Sequence, residues 1–323
     1  MTLPDDAVPT AAPSAAARLR VPPLVRLLRP HQWVKNVLVL VPVTLAHVLP
    51  WRGPEQALQW SRALAALVAF CLTASAVYVV NDLADLQADR AHPTKRRRPF
   101  AAGDLPARAA PLIVLGLLAG AALACAVAPP GFALILAGYA ALSAAYSFWL
   151  KRRLLVDVFV LAGLYAVRLL GGAAAAGVEA SNWMLAFAMF LFTSLAFAKR
   201  YVELHRAELR GDLAPAGRGY RVEDLRLIEG VGPASGFMAV LVLALYVNDA
   251  TGKVGQLYRK DATFFLWLLC PLLMYWVTRV WFLARRGAMN EDPIVYALTD
   301  RVSWLVLLAA AALVLAAWQP WLR

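Results

Sequence analysis

The chain has 323 residues, 61% hydrophobic and 16% charged, with a formal charge of +12. A soluble domain is nearer half apolar with about a quarter of its residues charged, so this composition, with a mean hydropathy of +0.61, excludes an ordinary soluble globule and reads as a polytopic membrane protein. Basic residues in such proteins set topology and meet anionic head groups, so the positive charge is no sign of nucleic-acid binding.

Residues 1–20 hold Asp5, Asp6, several prolines and many alanines, with no apolar core of a signal peptide. Residues 1–24 are therefore expected to form a disordered cytoplasmic tail. A helix crosses a bilayer with about 20 apolar residues, in a range of roughly 17–25. On that window the chain is predicted to span at 36–50, 60–80, 109–128, 131–149, 155–176, 182–200, 232–249, 262–283 and 302–319. The first of the nine is short and bracketed by Pro30 and Pro50. Pro130-Gly131 predicts a tight turn between the third and fourth. Cys71, Cys125 and Cys270 all fall in apolar stretches and imply neither a disulfide framework nor a metal cluster.

With the N-terminus inside, 25 of the 32 lysines and arginines fall on the cytoplasmic side. Six (Arg52, Arg62, Lys253, Arg259, Lys260 and Arg323) fall on the other side, and Arg168 lies within a span. The positive-inside rule thus predicts an all-α integral membrane protein of about nine transmembrane helices, N-in and C-out.

The second span runs into Asn81-Asp82-Leu83-Ala84-Asp85-Leu86-Gln87-Ala88-Asp89. On a continuous helix Asp82, Asp85 and Asp89 share one face, with Asn81 at its edge. Three carboxylates so placed repel unless a cation sits among them, and Mg²⁺ commonly shares its shell between one or two carboxylates and substrate phosphates. A solvated acidic helix end is the plainer alternative. His92-Pro93-Thr94-Lys95-Arg96-Arg97-Arg98-Pro99 follows directly. Such a run serves as a stop-transfer cluster, yet cations beside carboxylates also suit a metal-bound diphosphate whose charge grows as it departs.

The acidic run resembles the first aspartate-rich motif of the UbiA-type prenyltransferase superfamily, and the resemblance extends over nearly the whole chain beyond residue 25. Several segments are similar to the decaprenyl-phosphate phosphoribosyltransferase branch. These are Arg29-Pro30-His31-Gln32-Trp33-Val34-Lys35-Asn36, Asp89-Arg90-x-His92-Pro93-x-Lys95-Arg96 and Ala198-Lys199-Arg200-Tyr201-x-Glu203-Leu204. Glu291-Asp292-Pro293 with Asp300-Arg301-Val302-Ser303 completes the set. The resemblance implies nine helices around a central cavity over 25–323, and a Mg²⁺-dependent enzyme that joins phosphoribosyl diphosphate to a polyprenyl phosphate at the cytoplasmic face of a bacterial inner membrane. It implies Asp82, Asp85 and Asp89 as metal ligands and catalytic groups.

Aromatic prenyltransferases of the superfamily carry a second acidic motif where this sequence has Lys199, Arg200 and Glu203. Cations there suit a more anionic pair of substrates, although Lys199 and Glu203, at i and i+4, are also spaced to pair with each other. Asn81, Lys35, Lys95, Arg96, Tyr146, Lys151, Lys199, Arg200 and Glu203 are the remaining candidate substrate contacts. Arg168 joins them, since an ionisable residue inside a span faces the bundle interior and reaches either substrate or another helix. Trp33 reads as an interface anchor.

The four histidines form no metal pattern, and no Walker-type loop occurs. Two further readings stand beside phosphoribosyl transfer. In one, the same metal site moves a polyprenyl group to an aromatic acceptor, and the missing second acidic motif speaks against it. In the other the chain is a transporter, which calls for mid-membrane charges, broken helices and a repeated half.

Overall fold

A computed structural model of the chain describes residues 22–46, 53–214, 218–249, 263–289 and 292–317. Every described element is helical. Helix α1 (Pro23–Leu28) leads into a 3₁₀ segment (Pro30–Leu40) that continues as α2 (Val41–Ala46). The long α3 (Pro54–Ala84) is followed by short helices α4 (Leu86–Ala91) and α5 (Pro99–Ala102). Next come α6 (Ala110–Cys125), α7 (Pro130–Phe148), α8 (Val156–Ala176), α9 (Asn182–Leu209) and α10 (Leu225–Asn248). The chain closes with α11 (Thr263–Trp267), α12 (Leu269–Arg285), α13 (Pro293–Thr299) and α14 (Arg301–Ala317).

Among the described residues seven stretches are long and apolar enough to cross a membrane, and the α13–α14 pair, bent by 74°, makes an eighth if taken as one span. The predicted first span, 36–50, is occupied by the 3₁₀ segment and the six-residue α2, with 47–50 outside the described residues. Most of the predicted tail, 1–21, also lies outside them, as do Arg52, Lys253, Arg259, Lys260, Glu291 and Arg323. The turn predicted at Pro130-Gly131 lies slightly earlier, because Pro130 opens α7, where a fixed φ and a missing N–H cost a helix nothing.

Helix α8 is the axis of the bundle. Two-thirds of its apolar window (67%) is buried, against 17% in the stretch holding α6 and 22% in α7. Those outer helices expose large apolar side chains such as Leu112, Leu123 and Leu134, which a bilayer accepts and water does not. Gly172 lets the 3₁₀ segment lie directly on α8, since a Cβ there would fall 1.9 Å from the carbonyl oxygen of Val39; small residues at such crossings let backbones meet.

Length then positions the chemistry. α3 has 31 residues and α9 has 28, or about 46 and 42 Å of helix at about 1.5 Å per residue. A hydrocarbon core is about 30 Å thick. Each helix is therefore longer than that core, and the C-terminal turns of each carry one of the two charged motifs.

Candidate active site

At the end of α3 the helix does not run straight through its acidic motif. It stops at Ala84, Asp85 turns at φ −89° and ψ 8°, and α4 restarts at Leu86. The break divides the three carboxylates that a continuous helix would align. Asp82 and Asp89 are buried and meet through Arg98, whose Nη1 donates to Asp82 Oδ1 at 3.1 Å and to Asp89 Oδ2 at 2.6 Å. Asp85 turns outward and is exposed. Among the described residues no group of three His, Cys, Asp or Glu side chains is close enough to hold a metal alone.

A second arginine completes the cluster. Arg29 Nη2 donates to Asp82 Oδ1 at 2.5 Å, and its guanidinium lies 5.0 Å from the centre of the Tyr78 ring. Arg29 holds the left-handed backbone conformation, φ 52° and ψ 58°. That conformation is costly for a residue other than glycine and is tolerated where the surroundings fix it. Here it turns the chain from α1 into the 3₁₀ segment. While Oδ1 of Asp82 takes two arginines, Oδ2 is buried with no partner. It belongs to a residue lining a cavity of about 350 Å³ whose other walls include Arg26, Arg29, His31, Lys95, Arg97 and Arg98. Burial, then the charges of Arg29 and Lys35, hold the His31 imidazole below its ordinary value, so the cations here are the arginines and lysine. A buried, unpaired carboxylate oxygen beside an anion-attracting wall fits Mg²⁺ arriving on a diphosphate, an ion that needs only one or two protein carboxylates.

Asn81 faces the other way and donates from Nδ2 to Ser147 Oγ at 2.9 Å, joining α3 to the end of α7. Beyond it lies Lys151, whose ammonium is pulled down by burial and by Arg218, Arg152 and Lys95, with Asp85 opposing. Lys95 and Arg96 stand exposed on the 3₁₀ turn Lys95–Arg97.

The end of α9 is organised differently. Arg200 is 1% exposed. Its Nε lies 2.9 Å from Asp157 Oδ2, an ion-pair contact without hydrogen-bond alignment. Its Nη1 pairs with Glu203, and its Nη2 donates to Tyr146 Oη at 3.1 Å. Glu203 also meets Arg218 at 3.4 Å. Tyr220 donates to Asp157 Oδ1 at 2.8 Å and accepts from Leu155 N–H at 3.1 Å. Burial, then Asp157, raises its phenol above the ordinary value. Arg200 and Glu203, both candidate substrate contacts, are thus consumed by a latch that ties α7, α8, α9 and the segment before α10 together.

Lys199, one residue earlier, points elsewhere. It does not pair with Glu203. It lies 3.5 Å from Asp292 Oδ2, and the same oxygen accepts from Lys35. Asp292 caps α13, its Oδ1 accepting from the N–H groups of Ile294 at 3.1 Å and Val295 at 3.3 Å. Burial alone would raise this carboxyl, but Lys199 and Lys35 bring it down to about 2.

The sequence signal for Asp292 is an aspartate directly before a proline, the mark of a helix start. Nothing in the sequence distinguishes Arg29 from its motif neighbours or Arg98 from the other cations of its loop. Arg168 is buried and donates to Asn36 Oδ1 at 2.8 Å, Leu164 O at 2.5 Å and Tyr139 Oη at 2.9 Å. Trp33 is turned inward, donating to Ser75 Oγ at 3.0 Å.

The chain has known relatives. Residues 39–299 match the UbiA prenyltransferase family. The chain is 36% identical to decaprenyl-phosphate phosphoribosyltransferase of Mycobacterium tuberculosis over 299 residues, 91% of this chain and 93% of that one. It is 36% identical to the nodulation protein NoeC of Azorhizobium caulinodans, covering 88% and 89% of the two chains. It is 39% identical to the uncharacterized protein y4nM of Sinorhizobium fredii, over 90% of this chain but only 55% of that protein's length. Among solved structures, the UbiA homolog of Archaeoglobus fulgidus bound to GPP and Mg²⁺ superposes with a TM-score of 0.67 at 17% identity, covering 90% and 99% of the two chains; that likeness concerns the fold. With the helical bundle, the acidic end of α3 and these matches together, the chain belongs to the UbiA prenyltransferase family of membrane transferases.

Proposed function

We propose that the chain transfers the 5-phosphoribosyl group of phosphoribosyl diphosphate to a polyprenyl phosphate, with Mg²⁺, at the cytoplasmic face of a bacterial inner membrane. In this reading the N-terminus is inside and α1 through α14 provide nine crossings. The observation that carries it is at the end of α9. Where an aromatic prenyltransferase would need a second acidic motif, Lys199 shares one carboxylate with Lys35, which favours anionic substrates over a second metal. Relatives similar over more than nine-tenths of both chains bear the name decaprenyl-phosphate phosphoribosyltransferase, in Mycolicibacterium smegmatis and Mycobacterium tuberculosis.

Asp82 through its free Oδ2, with Asp85 on the exposed break, would hold the metal. When bound, Mg²⁺ neutralises charge on the diphosphate as it leaves. The side chains do the rest. Arg29, Arg98 and Lys95 line the cavity and stabilise the departing diphosphate by preorganised charge. Asp89 holds Arg98 toward that wall. Asn81 fixes α3 against α7. An oxygen of the lipid phosphate attacks C1 of the ribose while the C1–O bond to diphosphate breaks and its electron pair leaves with the diphosphate. The attacking oxygen is already anionic, so no general base is required.

The test is direct. Purified protein in lipid nanodiscs receives Mg²⁺, phosphoribosyl diphosphate labelled in the ribose, and a polyprenyl phosphate. Label should enter the organic phase only when all three are present. No label in lipid, with transfer instead from a polyprenyl diphosphate to an aromatic acid, overturns the proposal in favour of prenyl transfer.

A further inference from the structure

The end of α3 accounts for a diphosphate but leaves other buried charge without a counterion. Lys35 and Lys199 are brought from elements 164 residues apart onto one oxygen of Asp292. The other oxygen of that carboxylate is taken by two backbone N–H groups of α13. The carboxylate is therefore fully engaged, while each ammonium, with three donors, keeps donors to spare. Next to Lys35 in sequence, Asn36 receives Arg168, and every acceptor on that buried guanidinium is neutral: an amide, a main-chain carbonyl and a phenol. Arg168 lies 5.5 Å from the centre of the Tyr165 ring. Two ammonium groups thus share one carboxylate while the buried Arg168 has none, so among the described residues these three cations carry a surplus of two positive charges. An unpaired buried charge is expensive, and a phosphate monoester dianion carries the matching charge.

We infer that Lys35 and Lys199, set in place by Asp292, form a phosphate-monoester subsite separate from the diphosphate end of α3. The inference rests on the phosphoribosyl reading and adds to it a division of labour among the cations. Lys35 lies six residue steps from Arg29 along the 3₁₀ segment, about 12 Å at about 2 Å per residue, so the two subsites lie along one rod. Arg200 takes no part, since Asp157, Glu203 and Tyr146 already consume it. Asp292 is a positioning residue: it touches the lysines and aims them at a common point. The monoester has two possible sources, the 5-phosphate of the sugar and the phosphate of the lipid.

Equilibrium binding separates these without turnover. The full-length protein in nanodiscs is titrated with three probes: ribose 5-phosphate, a short-chain polyprenyl monophosphate, and Mg²⁺ with inorganic pyrophosphate. Lys35→Met and Lys199→Met should each weaken one monoester at least tenfold and change pyrophosphate less than twofold; the monoester that weakens names the source. Asp82→Asn should do the reverse. Asp292→Asn keeps a capping side chain but loses the charge. It should weaken the same monoester severalfold, spare pyrophosphate, and add nothing in a Lys35→Met/Lys199→Met background, whereas damage to the fold would weaken all probes. Lys199→Arg, which keeps the charge, should retain monoester binding and serves as the control if a methionine variant fails to fold. If wild type binds a monoester and the lysine variants keep it, or lose pyrophosphate equally, the inference falls alone. If wild type binds neither monoester, it falls with the phosphoribosyl reading.

Discussion

The ends of α3 and α9 look alike in sequence, each a short stretch of mixed acids and bases where a long helix leaves the apolar layer. They are built for different tasks. At α9 the charges close on one another: Arg200 is enclosed by Asp157, Glu203 and Tyr146, and Tyr220 seals Asp157 from the far side. At α3 the arrangement stays open. Two arginines crowd one oxygen of Asp82 and leave the other bare beside a basic cavity. At α9 even the carboxylate oxygen without a hydrogen bond, Asp157 Oδ2, lies against the Arg200 guanidinium, which stabilises the bundle. The bare Asp82 oxygen belongs instead to a residue lining a basic cavity and is set to receive a ligand.

The contrast breaks most visibly through stability. Asp157→Ala leaves the buried Arg200 with Glu203 as its one remaining carboxylate, and removing one member of a buried pair costs up to about 3–5 kcal/mol. It should lower the thermal midpoint in detergent by far more than any change at α3; an unchanged midpoint would mean that the α9 cluster is not a latch. Asp82→Asn should leave the midpoint within a few degrees of wild type yet cut turnover by about 10²–10³, the scale seen when a preorganised charge is removed. Single-turnover label transfer measures it.

Gly172→Ala sharpens the comparison at a distance from both ends. Its Cβ would meet the Val39 carbonyl oxygen at 1.9 Å, so the 3₁₀ segment must shift, at about 1–3 kcal/mol for overpacking. Because that segment carries Arg29 and Lys35, substrate affinity should fall along with stability; a stability loss with unchanged affinity would uncouple the segment from the site.

The smallest effect is in pH. Asp292 is depressed to about 2 in the fold, against about 3.9 for a free aspartate. A depressed carboxyl stabilises the fold fully above its unfolded value and loses that contribution as pH falls through its folded value. The stability difference between wild type and Asp292→Asn should therefore be flat above about pH 5 and shrink between about pH 4 and 2. Chemical unfolding across that range reads it, and a difference that grows toward acid would contradict the ion pairing.

Much of the bundle was legible because hydropathy over a 20-residue window is a strong local signal. The predicted 60–80 and 182–200 fall within α3 and α9, and 155–176 matches α8 to within one residue. What escaped was non-local or conformational. The spacing of Asp82, Asp85 and Asp89 implies one face only if the helix is continuous, and nothing in the triplet announces the break at Asp85. The i,i+4 pair of Lys199 with Glu203 was a sound local expectation, but Arg200 reached Glu203 first and Asp292, 93 residues away, drew Lys199 off. Asp157 reads as a polar residue at a helix start until Arg200 and Tyr220 are folded against it. Cations of one loop look interchangeable in sequence, yet the fold aims Arg98 at two carboxylates and leaves Arg96 in solvent.

The central claim is that the end of α3 is the ligand-receiving cluster and the end of α9 is not. Mn²⁺, an EPR-visible stand-in for Mg²⁺, tests it most directly when titrated with pyrophosphate into wild type, Asp82→Asn and Glu203→Gln in nanodiscs. The account predicts that pyrophosphate-dependent Mn²⁺ binding disappears in Asp82→Asn and persists in Glu203→Gln. Binding that survives in Asp82→Asn, or is lost equally in both variants, would contradict it.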